Sequence, residues 1–180
     1  MPDLEVRISG SGGQGILLAG RILADALGHE ALIVAQSQSY EPTSRGGLSR
    51  ADLVASDAEV DYPLASDLDF LVILDEIAAT ASNDLLQQGS LVLVDSPLEG
   101  KCELDVQQVR YLPISESARS LGDLRSTNMV ALGALNSLAE FCSQENLLAA
   151  VARVAPKKLV EAATRAIQQG YAIAAAESGR

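Results

Sequence analysis

Apolar positions recur along this chain with two different periods. Val6-Arg7-Ile8-Ser9 reads as a short strand that runs into the glycine cluster Gly10-Ser11-Gly12-Gly13-Gln14-Gly15. The period then changes. Ile16, Gly20, Leu23 and Leu27 share one face of a helix, Arg21 and Asp25 form an i,i+4 pair on its other side, and Gly28 stops it. Ala31-Leu32-Ile33-Val34-Ala35 is a continuous apolar run, the pattern of a strand covered on both faces. A polar loop follows from Gln36 to Gly47, punctuated by Pro42, Gly46 and Gly47. Leu48 to Ala55 alternates instead, with Arg50 and Asp52 on one face and Ala51, Leu53 and Ala55 on the other. That alternation predicts a half-exposed strand, antiparallel or at an edge.

Phe70 to Leu74 and Leu91 to Val94 predict two buried strands, separated by a helical segment around Glu76 to Gln87. Val109 to Pro113 is a weaker strand. Beyond Ser115 the chain turns helical: Thr127 suits the N-cap of a helix through Phe141, and Pro156 the first turn of a last helix through about Ala176. In that last helix Leu159, Ala163, Ala166, Gly170 and Ala174 form the inward face. Strands alternating with helices predict an α/β fold, a Rossmann-like, mostly parallel sheet with helices on both faces and a helical C-terminal part. At 180 residues the expectation is a single domain, 1–180.

Composition narrows the class. Hydrophobic residues make up 48% and charged residues 21%, which argues against disorder. The formal net charge is −11, the opposite of the basic excess that coats a nucleic acid. The charge is also uneven. Residues 51–100 hold 11 acids and no Lys or Arg, the sign pattern of a solvated face or of a surface for a basic partner. The two cysteines, Cys102 and Cys142, are forty residues apart, so neither iron–sulfur nor structural zinc spacing is present, and Cys142 reads as a small buried hydrophobe. The longest uncharged run, Ser126 to Ala139, is too short and too polar to span a bilayer, and the acidic N-terminus is wrong for a signal peptide. A cytoplasmic protein with no nucleic-acid and no membrane partner is expected.

Gly10-x-Gly12-x-x-Gly15 has the dinucleotide-binding spacing, after a strand and before a helix. Glycines there let a phosphate approach backbone N–H groups at a helix N-terminus, although the same turn can serve packing alone. Two tests restrict the ligand. Gln36 stands where an NAD site wants an acid, and Ile16-Leu17 stand where a P-loop needs Lys and Ser/Thr. The second loop, from Ser37 to Gly47, should reach the same carboxyl edge of the sheet, and its hydroxyls and Arg45 can bond a phosphate or carboxylate. Arg45 can equally pair with a nearby acid. Catalytic patterns are otherwise missing: there is no G-x-S-x-G or H-E-x-x-H, and the single His29 ends a surface helix. Asp67 and Asp69, and Asp75 and Glu76, read as solvated loop charges. The chain looks like a binding or supporting part rather than a complete catalyst.

Gly10 to Gly20 (G-S-G-G-Q-G-I-L-L-A-G), Ser39 to Gly47 (S-Y-E-P-T-S-R-G-G), Ser49 to Val54 (S-R-A-D-L-V) and Thr127 to Ala134 (T-N-M-V-A-L-G-A) together resemble the gamma subunit of 2-oxoacid:ferredoxin oxidoreductases. Tyr40-Glu41-Pro42 with Arg45-Gly46-Gly47, and Asp61-Tyr62-Pro63-Leu64, look most like the 2-oxoglutarate type; pyruvate, branched-chain 2-oxoacid and indolepyruvate types share the first loop. The resemblance implies a non-catalytic subunit of an enzyme that decarboxylates a 2-oxoacid oxidatively, passes the acyl group to coenzyme A and reduces ferredoxin. It implies alpha, beta and, where present, delta subunits as partners, carrying thiamine diphosphate, Mg²⁺ and iron–sulfur clusters, with no cofactor on this chain alone. The residues expected to shape the coenzyme A entry are Gly10, Gly12, Gly13, Gln14, Gly15, Ser39, Tyr40, Arg45, Gly46 and Gly47. Asn128 would bond a loop or partner backbone, or simply start its helix. Two other readings remain open: a self-sufficient Rossmann-like nucleotide- or flavin-binding module, and an assembly subunit whose glycine loops only pack.

Overall fold

A computed structural model describes residues 4–41, 46–60 and 64–178. Six strands, β1 (Leu4–Ser11), β2 (Ile33–Tyr40), β3 (Leu48–Ser56), β4 (Leu68–Ile73), β5 (Leu86–Asp95) and β6 (Gln108–Leu112), form one sheet in the order β2-β3-β1-β4-β5-β6. The β1–β4, β4–β5 and β5–β6 pairs are parallel, while β2–β3 and β3–β1 are antiparallel. Five helices complete the fold: α1 (Ile16–Gly28), α2 (Ile114–Ser120), α3 (Thr127–Ala139), α4 (Gln144–Val154) and α5 (Val160–Ser178). The α/β class, the mostly parallel sheet and the helical C-terminal part are those expected.

Because side chains alternate along a strand, each strand feeds two cores. Val6, Ile8, Ala51, Leu53, Val72, Leu91 and Leu93 pack under helices with Ile22, Leu23, Val130, Leu135, Leu147 and Ile167. Leu71, Ile73, Val92 and Val94 point to the second face, where Ala78 and Leu98 lie in short 3-10 turns (Glu76–Ala78, Asn83–Leu85, Ser96–Leu98). The helical cover of that second face is therefore made of single turns. The segment expected as a helix from Glu76 to Gln87 is two of them. Asp75 fixes the first by accepting from the Ile77 N–H (3.1 Å), and from Leu86 the chain is already in β5.

Two strands differ from expectation for one reason, their place in the sheet. The run at Ala31–Ala35 leads into the edge strand β2, which has β3 as its neighbour and leaves Ile33 53% exposed. β2 continues through Gln36 to Tyr40, residues that read as loop. β3 is antiparallel as expected but lies between β2 and β1 and is largely buried. Its buried charge is matched: Arg7, directly opposite in register, donates through Nε and Nη2 to the two Asp52 carboxylate oxygens, both at 2.7 Å. Nη1 donates to Ser82 Oγ in the covering turn (3.0 Å).

The helical layer also departs in detail. Asp25 pairs with Arg153 of α4 (Arg153 Nε to Oδ2, 2.7 Å), not with Arg21. Thr127 is the first residue of α3, after a 3-10 turn capped by the Asp123 carboxylate, and α3 ends at Ala139 where Glu140 turns left-handed. Helix α4 stands apart from α3 and α5 where the sequence pattern shows only a continuing helical stretch; Ser143 caps it, and Glu30 accepts from the Ser143 N–H (2.6 Å) and Asn146 Nδ2 (2.8 Å). Pro156 opens a 3-10 turn, Lys157–Leu159, that leads into α5. Where α3 crosses α5, a Cβ on Gly133 would press on the Ile167 carbonyl, and one on Gly170 on the Val130 carbonyl. These two glycines let the helix backbones touch.

Candidate functional site

The C-terminal ends of the parallel strands form the rim on which ligands of open α/β sheets gather. The glycine loop lies at the end of β1, and its residues split by task. Gly10 leaves room for the Gln14 side chain, which folds back over the loop: Gln14 Oε1 accepts from the Ser11 N–H (2.8 Å), and Nε2 donates to the Leu74 carbonyl (3.2 Å). Ser11 Oγ bonds Asp75 Oδ2 (2.9 Å), so the pair read as solvated charges includes a loop brace. Gly15 stands left-handed at φ 71° as the N-cap of α1, and a Cβ there would lie 2.6 Å from Asn128 Nδ2. Asn128 is almost fully buried and donates Nδ2 to the Gly15 carbonyl (2.8 Å), tying the start of α3 to the start of α1.

The second loop meets the first. The Gly12 N–H donates to the Gly47 carbonyl (2.9 Å), and Gly46, at φ 68°, lies against Gly12. Gly13, Gly15, Ile16 and Leu17 N–H groups have no partner among the described residues. They border a cleft of about 420 Å³ whose far wall is Tyr40, 68% exposed, and Ser49. An anion there would meet backbone N–H groups at a helix start. Ser39 is not brought into it: one residue before Tyr40, it faces the other side of the sheet and accepts from Arg50 Nε (3.2 Å). Arg45, with Pro42 to Ser44, and Asp61 to Pro63 lie outside the described residues.

A second crevice opens on the opposite side of Gly13. Leu74 and Asp95 border it at the ends of β4 and β5, and Ser115, Arg119, Leu124, Arg125 and Thr127 on the segments after β6; its volume is about 320 Å³. No sequence motif singles out Asp95, Arg119 or Arg125. The available signal was that Arg119 and Arg125 follow the C-terminal end of a strand, but nothing in sequence shows that β6 lies near the glycine loop. Arg125 Nε donates to Asp123 Oδ1 (3.0 Å), and this bond holds the Asp123 carboxyl below the usual carboxylate range.

Neither cysteine is placed for chemistry. Burial pushes the Cys142 thiol up to about 12, where it bonds Asn136, and also raises Cys102. Among the described residues no group of three or more His, Cys, Asp or Glu could hold a metal ion, and no helix is long and apolar enough to cross a membrane.

Residues 5–173 match the family model described as "Pyruvate ferredoxin/flavodoxin oxidoreductase". The chain is 37% identical to 2-oxoglutarate synthase subunit KorC of Methanocaldococcus jannaschii, over 94% of this chain and 93% of that protein. Among solved structures it resembles the gamma subunit of a keto/oxoacid ferredoxin oxidoreductase from Geobacter sulfurreducens, with a TM-score of 0.82, 34% identity and 98% of each chain covered. It also shares a fold with 2-oxoglutarate:ferredoxin oxidoreductase from Magnetococcus marinus, solved with 2-oxoglutarate, coenzyme A and succinyl-CoA bound (TM-score 0.81, 24% identity, 97% of this chain and 31% of that one).

Proposed function

The chain belongs to the pyruvate ferredoxin/flavodoxin oxidoreductase family, and on that premise we propose that it is the gamma subunit of a 2-oxoglutarate:ferredoxin oxidoreductase. The carrying observation is the end-to-end similarity to a 2-oxoglutarate synthase subunit, which spans nearly the whole of both proteins. Its partners in this reading are alpha, beta and, where present, delta subunits, with ferredoxin reached through the complex in the cytoplasm.

The donor set of the chain supports this division of labour. Iron–sulfur clusters are held by four cysteine thiolates, and this sequence has two cysteines, one of them buried with a strongly raised pKa. Thiamine diphosphate, which supplies the carbanion chemistry of decarboxylation, Mg²⁺ and the clusters are accordingly assigned to the partners.

This chain contributes positioning. The open N–H groups at Gly13, Gly15, Ile16 and Leu17, beside Tyr40, suit a phosphate of coenzyme A. The bonds from Gln14 and Asn128 hold that loop rigid before the ligand arrives, which reduces the ordering cost of binding. Arg45, on the loop that reaches Gly12 through Gly47, adds a cation. Fixing the distant phosphates orients the coenzyme A thiol toward the acyl group on the partner subunits.

The test is reconstitution. The complex containing this chain should reduce ferredoxin with 2-oxoglutarate and coenzyme A, and the chain alone should not. In the complex, Arg45→Ala should raise the KM for coenzyme A while leaving that for 2-oxoglutarate unchanged. Activity from the lone chain would sink the subunit reading, and an unchanged coenzyme A KM would sink the role of Arg45.

A further inference from the structure

The two edges of the sheet are built differently. β6, at one end, is short, carries Arg110 and runs into Pro113; charges and prolines are what keep a sheet edge from pairing with another chain. β2, at the other end, has neither device. Its 8 residues stay in unbroken register with β3, and residues 31–40 hold no charge and no proline. On a chain of net charge −11 this is a neutral strip along an open edge.

The ladder fixes which backbone groups face outward. The Glu41 N–H donates to the Leu48 carbonyl (2.8 Å), in line with the β2–β3 register, so the odd-numbered residues of β2 bond to β3. Val34, Gln36, Gln38 and Tyr40 therefore turn their N–H and C=O groups away from the sheet, where those groups have no partner among the described residues. Their side chains share the face on which α1 packs. On that face Gln36 Nε2 is buried against Gly20 with no hydrogen-bond partner among the described residues, and Tyr40 is 68% exposed.

We propose that two copies of this chain join along β2, antiparallel about a twofold axis at Ser37, into one continuous sheet. Twofold symmetry sets one residue opposite its own copy. With Ser37 there, Val34 lies opposite Tyr40 of the second copy and Gln36 opposite Gln38, so every outward residue meets another outward residue. An axis at Gln36 would leave Tyr40 facing a residue before the strand, and one at Gln38 would leave Val34 facing a residue beyond it. The same register brings the Gln38 amide of the second copy beside the unpartnered Gln36 Nε2, and Val34 against the exposed Tyr40 ring. Two acidic molecules can approach here because the strip is neutral. The strand is complementary to itself, which makes a second copy the occupant. The pairing goes beyond the proposed function and does not rest on it.

Sedimentation velocity of the full chain over a concentration series should show a monomer–dimer equilibrium. Gln38→Pro removes an outward N–H and spares the β2–β3 ladder, so it should raise the dimer dissociation constant about ten-fold or more. A second measurement does not depend on that variant folding. In a Cys102→Ser background, Ser37→Cys would set two thiols on a non-hydrogen-bonded pair, with Cα atoms about 4.5 Å apart and within disulfide reach. Diamide should oxidise the two thiols to one disulfide, itself taking up the two electrons and two protons, and give a covalent dimer. Ser39→Cys, which would face Ala35 of the second copy, should not bridge. A monomer at every concentration, a dimer unmoved by Gln38→Pro, or Ser39→Cys bridging as fast as Ser37→Cys would overturn the pairing. So would a Ser37→Cys chain that bridges alone but not in the reconstituted complex, since another subunit then covers the edge. Turnover of that complex reads the proposed function separately.

Discussion

The two faces of the sheet are stabilised by different physics. On one face four long helices bury aliphatic side chains, and α3 and α5 approach so closely at Gly133 and Gly170 that no Cβ fits. On the other, around β1 and β3, the interior includes a bidentate ion pair between Arg7 and Asp52, each 6% exposed, beneath single 3-10 turns. Steric fit decides the first face. On the second face, aliphatic packing covers β4 and β5, and completeness of a polar network decides the part around β1 and β3, because a buried charge is tolerated only while its partner is present. The rim between them, where β1 and β4 send the chain to opposite faces, is where both clefts open.

The largest effect expected is on the polar face. Asp52→Ala strands the Arg7 guanidinium in the interior and should cost about 3–5 kcal/mol, seen as a drop in the denaturant midpoint. Arg7→Met with Asp52→Leu removes both charges and should restore most of that loss; if the double variant is as unstable as Asp52→Ala, the network is not what holds this face. Next comes Gly133→Ala on the helical face. The added methyl has no room against the Ile167 carbonyl, so a cost of about 1–3 kcal/mol is expected, and more if α5 cannot shift. A neutral result would mean that the two helices slide freely.

The smallest effect is a pH dependence in the helical layer. The Ser143 N–H and the Asn146 amide hold the Glu30 carboxyl below its usual range. A carboxylate depressed in the folded state contributes stability at neutral pH, and that contribution is lost as pH falls through the ordinary Glu range and then the depressed value. Glu30→Gln should therefore flatten the acid limb of a stability–pH curve by lowering stability slightly at neutral pH, with the two proteins converging as pH falls. An acid limb identical in both proteins would show that Glu30 does not couple α1 to α4.

Local pattern carried much of this architecture. The first strand, the glycine turn and α1 follow from residues within thirty positions of each other. Boundaries set by distant partners did not show. β2 runs five residues past its apolar stretch because β3 supplies its ladder, and Asp52 reads as a surface charge until Arg7 stands opposite it. The candidate site divides in the same way. The spacing of Gly10, Gly12 and Gly15 marked the loop, and the bond from Asn128 to the Gly15 carbonyl fits the expected loop contact. Adjacency in sequence places Ser39 with Tyr40, although adjacent strand residues face opposite ways. Arg119, Arg125 and Asp95 carried no motif at all.

The sequence by itself determined the α/β class, the glycine turn and the family resemblance, because each depends on short-range periodicity and on residues fixed in order along the chain. Tertiary structure decided which glycines serve packing and which leave N–H groups open, that the acid-rich stretch contributes Asp52 to the interior, and that two arginines more than a hundred residues from Gly13 share its rim. Those are facts of register and crossover, set by which strand lies beside which, and no local pattern encodes them.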